Sequence, residues 1–202
     1  MSHTTGQAAD LHRMIVVNES IKEVIRVSAA LNMVAINAML VAKRAGVRSS
    51  GFSVVSSELR SFSRKLIEEM HRLGEEIAVL VRDTADLQKL ERMHRLLDAT
   101  LAQHAVNAGY LAAARQRNRE VLQAVAQNVE ADVRHLLLLL TRSMKLCDTG
   151  YTLARSAKVE AVYGGEMSHA LRQVADRIEA SVTPITPLLK SLCANLKEGV
   201  AA

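Results

Sequence analysis

The chain has 202 residues, enough for one sizeable domain, or two small ones, with a real hydrophobic core. Apolar residues make up 49% of it and aromatics only 2%, with no Trp and two Pro, a balance that disfavours aromatic-rich β architectures and favours long helices packed by aliphatic side chains. The net charge of +5 is spread among interspersed acids and bases; the densest basic run, ARQRNRE from Ala114 to Glu120, has no neighbouring aromatics for base stacking, which argues against nucleic-acid binding.

The first ten residues read as a disordered polar leader, without the basic and apolar regions of a signal peptide. From Leu11 the spacing is helical: Leu11, Met14, Ile15, Ile21, Val24, Ile25, Leu31, Ile36 and Leu40. The pattern breaks at Gly46 to Ser50. Leu59, Leu66, Leu73, Leu80 and Leu87 then recur every seventh residue, with Phe62, Met70 and Ile77 between them, which predicts a coiled-coil seam. HAVNAGY, from His104 to Tyr110, offers a central turn, after which Val121, Leu122, Val125, Val129, Val133 and Leu136 restart the helical spacing.

HLLLLLTRSM, bracketed by Arg134 and Arg142, reads as a buried core segment, and no apolar run approaches the ~20 residues of a membrane helix. Leu171, Val174, Ile178 and Val182 lead into TPITP. There Thr183-Pro184 and Thr186-Pro187 each resemble an N-cap followed by Pro, predicting a break or kink and a short last helix through Leu196 that stops at Gly199.

Sliding the chain by 119 residues places Ser156–Glu179 under Asn37–Arg60 without a gap. Ala38 meets Ala157, Ala42 meets Ala161, Gly46 meets Gly165, Phe52 meets Leu171, Val55 meets Val174 and Leu59 meets Ile178. The midpoint of the two reversals falls at residues 106 to 107, inside HAVNAGY. The implied topology is an all-α, antiparallel four-helix coiled-coil bundle with two hairpins at one end: a first helical hairpin over 11–106 and a second over 107–202. Its two long helices would each have about 55 residues, roughly 80 Å at 1.5 Å per residue. Cys147 and Cys193 fit no metal spacing and would lie roughly 15 Å apart along the axis, too far for a disulfide, which points to a reducing cytoplasm.

The stretch INAMLVAKRAGVRSSGFSVVSSELRSFS, Ile36 to Ser63, resembles the hairpin tip of the cytoplasmic signalling domain of methyl-accepting chemotaxis proteins. The matching positions are Asn37, Ala38, Ala42, Arg44, Ala45, Gly46, Gly51, Phe52, Val54, Val55, Glu58 and Arg60. A second copy keeps Ala157, Glu160, Ala161, Gly165, Glu166 and Val174, and together the copies cover about a quarter of the chain. The two glutamates expected around the first reversal are Val41 and Val47, whereas the second copy has Glu160 and Glu166 at those places. The resemblance implies a single-chain imitation of the receptor dimer tip. Its partners would be a coupling adaptor, a histidine kinase or chemoreceptors, met through Arg44, Gly46, Phe52, Val54, Val55, Glu58, Glu160, Gly165, Glu166 and Leu171.

Other readings compete with this one. At helical spacing Phe52, Val54 and Val55 also fit a core stripe, and Arg44 and Glu58 a solvated pair. Glu68-Glu69 and Glu75-Glu76 are similar to methyl-accepting glutamates but sit near the tip, where the family has none. An alternative function is a ligand-binding or cofactor-binding bundle with its site near His71, His94, His104 and His135; no histidine pair has the i, i+4 spacing of a helical metal site. No nucleophile elbow or base constellation accompanies the serines, so no catalytic residue, cofactor or enzyme activity is expected. Opening of the central turn would also permit a helix-swapped homodimer.

Overall fold

A computed structural model of the chain describes residues 2–46, 49–103 and 108–201, with side chains from residue 16 to 197 apart from 47–48 and 103–108. Five α-helices follow one another: α1 (Ser2–Ala45), α2 (Ser50–Gln103), α3 (Ala108–Val162), α4 (Ser168–Val182) and α5 (Ile185–Ala201), with a 3₁₀ turn over Gly165–Met167 before α4. The chain is an all-α antiparallel bundle, with α4 and α5 together forming its fourth helical run. The two long helices have 54 and 55 residues, as the symmetry of the repeat required.

The chain divides into two compact units, one of residues 1–74 with 137–202 and one of residues 75–136. In the first, α1 packs along α4 and α5, while the opening half of α2 and the closing half of α3 complete a four-helix core. Leu59, Leu66 and Leu73 are buried there with Phe62, Met70, Leu140, Ile178, Ile185 and Leu189. Small residues let the helices approach closely. Gly150 of α3 lies under the Phe62 ring, where a Cβ would come within 2.6 Å of Cζ. The second unit is a two-helix hairpin. Its buried apolar residues are Ile77, Leu80, Val133 and Leu136, all at its base, and Leu87, Leu90 and Leu97 further out are half-buried.

Several expectations are corrected. The leader over residues 1–10 is helical from Ser2, because a helix already nucleated propagates through Ala8, Ala9 and Leu11 at little cost. α5 runs through Gly199 to Ala201. Neither threonine of TPITP N-caps a helix: Thr183 ends α4, its hydroxyl donating to the Glu179 carbonyl, and the buried Thr186 Oγ1 accepts no helix-end amide and faces the Cys147 thiol. The Leu188 amide still donates to the Pro184 carbonyl at 3.3 Å, so the proline interrupts the fourth run by two residues without breaking it.

Within Val16–Ala45 an 18-residue window with mean hydropathy 1.8 is, by length and composition alone, apolar enough to cross a membrane. Asn32 and Asn37 interrupt its apolar run without lowering the average enough. In the bundle this helix turns Val24, Leu31, Ala35, Ala38 and Ala42 into the core. The central turn at residues 106 to 107, and His104, lie outside the described residues.

Candidate functional site

The hairpin end is built around two left-handed glycines. Gly46 has φ +76° and Gly165 φ +58°, the conformation that reverses a helix most cheaply when no Cβ is present. These are the two residues that the internal repeat aligns, so both hairpins turn on equivalent positions.

The hairpins are locked by different means. In the first, the buried Ser49 hydroxyl is shared between the Ala42 carbonyl at 2.6 Å and the Gly46 carbonyl at 2.9 Å, satisfying acceptors that the end of α1 leaves open. In the second, Gly164 lies against Leu171, where a Cβ would come within 2.3 Å of Cδ1. There Lys158 of α3 also reaches Glu179 of α4 at 2.5 Å and Asp176 at 3.5 Å. The hydrogen bond that the Lys158 ammonium donates to the Glu179 carboxylate holds its pKa above the usual range.

Glu160 joins one hairpin to the other. Its carboxylate occupies the place of a side chain at Gly51, with Oε2 2.0 Å from where a Cβ would stand. Gly51 is the second residue of α2, so the negative group sits at a helix N-terminus, where the backbone dipole favours it. The contact also places the two hairpins side by side at one end of the four-helix unit.

The residues singled out in the sequence divide sharply by exposure. Phe52 and Leu171 are fully buried, so both support the surface from beneath and neither is available to a partner. Val55 and Glu160 are half-buried, whereas Arg44, Gly46, Glu58, Gly165 and Glu166 are exposed. Val54 is 62% exposed despite being apolar. The structure adds Leu40, Val159, Val162 and Tyr163, all more than half exposed on the last turns of α1 and α3 or just beyond. Leu40 and Val159 are equivalent under the repeat, a signal available in the sequence but masked there by their fit to an apolar stripe.

Among the described residues, the candidate histidines form no common cluster. His71 is exposed, the His135 ring lies 2.7 Å from Glu76, and the His94 ring lies 3.1 Å from Asn118. His94 and His135 therefore sit roughly 26 Å apart along the hairpin. No group of three metal-ligating side chains occurs among the described residues. Depressions among the described residues of the four-helix unit include open grooves with charged rims, such as one of about 530 Å³ lined by Lys65, Glu68, Glu69, Arg142 and Lys145. Cys147 and Cys193 are free, and burial pushes the Cys147 thiol up to about 11, opposed by the nearby Thr186 hydroxyl. No family model and no curated protein matches the chain.

Proposed function

We propose that the chain is a chemoreceptor-like signalling or scaffold protein that works in the cytoplasm. It would dock a coupling adaptor, a histidine kinase or receptors of a chemosensory system through the double-hairpin end. The observation that carries this reading is the composition of that end: exposed apolar Leu40, Val54, Val159, Val162 and Tyr163 beside exposed Arg44, Glu58 and Glu166. A large apolar side chain left in water next to a full core gives nothing to the monomer but contributes to a partner interface when covered. The Ser49 clamp and the Glu160–Gly51 contact hold that surface in one shape, which lowers the entropy lost on binding. The resemblance of Ile36–Ser63 to the receptor tip supplies the class of partner.

The test is affinity capture from the native cell lysate, comparing wild type with a Val54→Glu, Val159→Glu variant. Both positions are exposed, so circular dichroism and the melting temperature should be unchanged. Recovery of a coupling adaptor or histidine kinase by wild type, and its loss in the variant, supports the reading. Equal recovery by both chains, or recovery of neither partner by wild type, overturns it.

A further inference from the structure

The outer side of α1 is unlike that of the helices it packs with. No residue from Val27 to Ala42 is charged. The exposed residues of that stretch are Ala29, Ala30, Met33, Asn37 and Leu40, with Met33 56% and Leu40 54% exposed. They recur at helical spacing on one line, opposite the buried line of Val24, Leu31, Ala35, Ala38 and Ala42. By contrast, the opening of α2 carries Glu58, Arg60, Arg64 and Lys65, and α4 carries Arg172, Asp176, Arg177 and Glu179.

Cations frame this apolar crest. Arg44 continues its line at the hairpin end beside Lys43, and both are exposed. At the other end Lys22 and Arg26 are held by Glu19 and Glu23 at 2.8 Å and 2.6 Å, so that end is close to neutral. On α2, Lys65 and Glu69 line a groove with Arg142 and Lys145 of α3. Arg60 and Arg64 stand five residues before them, about 140° away across the outer side of α2, and so fall on the flank toward α1. Arg60 is ten residues past the start of α2 and Ala35 ten before the end of α1, which sets the arginines beside the middle of the crest. On α4, Asp176 and Glu179 face Lys158 of α3, and Arg177 falls on the other flank, again toward α1.

Lys43, Arg44, Arg60, Arg64 and Arg177 are exposed and form no ion pair among the described residues. Glu58, seven residues before Lys65, shares its flank toward α3. Glu68, one turn beyond Arg64, is outnumbered by the cations beside it.

Shape and charge together select what covers the crest. A partner helix needs a groove between two ridges, and these apolar residues stand on the ridge itself. A second copy, laid in either direction, would set the arginines beside the middle of the crest against one another. An anionic bilayer surface meets neither difficulty. Its headgroup layer yields to a ridge, takes up apolar side chains to about 5–10 Å and attracts the flanking cations. The other face of α1 is core, so the helix can lie along such a surface with the bundle folded.

We propose that the four-helix unit docks on anionic lipid bilayers through α1. Ala30, Met33 and Leu40 enter the headgroup layer, and Arg44, Arg60, Arg64 and Arg177 meet acidic headgroups. Val159 of α3 stays off the lipid, so the docking does not depend on which protein the hairpin end binds.

Cosedimentation of the full chain with vesicles tests it. Phosphatidylcholine with about 30% phosphatidylglycerol should carry down half of the chain at about 1 mM lipid or less, and phosphatidylcholine alone about tenfold less well. Salt at about 1 M should release it. An Ala30→Glu, Met33→Glu variant should keep its circular dichroism and bind about tenfold more weakly or worse. Arg60→Gln, Arg64→Gln should also lose about tenfold, and Val159→Glu should bind as wild type does. In a Cys193→Ser background, an environment-sensitive fluorophore at Met33→Cys should brighten and shift to the blue on the anionic vesicles, whereas one at Val159→Cys should not. Wild type that stays in solution with the anionic vesicles overturns the proposal. So does binding that survives either double substitution, binding lost in Val159→Glu, or a Met33 label that still reports water on vesicle-bound chains.

Discussion

Two glycines in the middle of the long helices show how the same residue type has opposite physical roles. At Gly74 of α2 a Cβ would meet only Ile21 Cγ2 at 3.9 Å, an ordinary contact, so the glycine costs helix propensity and gains no packing. Gly74→Ala should raise stability by about 0.5–1 kcal/mol in urea denaturation. At Gly150 the Phe62 ring fills the space a methyl would take, and Phe62 is itself in the core. Gly150→Ala should lower stability by about 1–3 kcal/mol despite the better propensity, because the ring has nowhere to move.

Cys147 makes a second residue-scale prediction. Its thiol holds its proton up to about 11 in the folded chain, against about 9 when exposed. The folded state therefore binds the proton more tightly than the unfolded one. This contribution to stability is complete below pH 9 and is lost as pH rises from about 9 through 11. A Cys147→Ala chain should lose less stability than wild type over that window in urea titrations, and alkylation of Cys147 at pH 8 should require unfolding.

At the scale of the element, α2 is one continuous helix with two environments. From Phe52 to Leu73 its inner face is buried in the four-helix unit, whereas from Leu87 onward α3 is its cover within the hairpin and the apolar residues are only half-buried. Backbone hydrogen bonds are the same in kind along its length, so the difference lies in packing. Amides of residues 84–102 and 111–132 should exchange with solvent at least tenfold faster than those of 52–73, as hydrogen-exchange mass spectrometry would read. Equal protection would mean that the hairpin is stabilised by something other than burial.

The hairpins show what a pattern can and cannot convey at this scale. Gly46 and Gly165 were legible as turns because only glycine takes a positive φ without strain, and the repeat marked both. The Ser49 clamp was not legible: serine beside serine at a helix start reads as an ordinary cap, and the acceptor seven residues back becomes visible only when the chain has reversed. TPITP misled for the same reason, since a threonine before proline has the local chemistry of a cap wherever it stands, and here the fourth run simply continues past it.

For the whole molecule, the number, length and direction of the long helices follow from the sequence. Heptad spacing, two turn glycines and a repeat offset of 119 residues point to antiparallel long helices whose apolar stripes face one another. These signals are local or periodic, and a single strand of text carries them in full. Which apolar residues face inward at the hairpin end was decided only by tertiary structure. Phe52 and Val54 are two residues apart on one helix, yet one is fully buried and the other 62% exposed, because the rotation of α2 against α1, α3 and α4 fixes the boundary of the core. The same holds for Glu160, whose neighbour Gly51 is distant in sequence, and for the end of the four-helix unit at Gly74. Periodicity sets how wide an apolar face is; contacts between distant segments determine which part of it is covered and which is left for a partner.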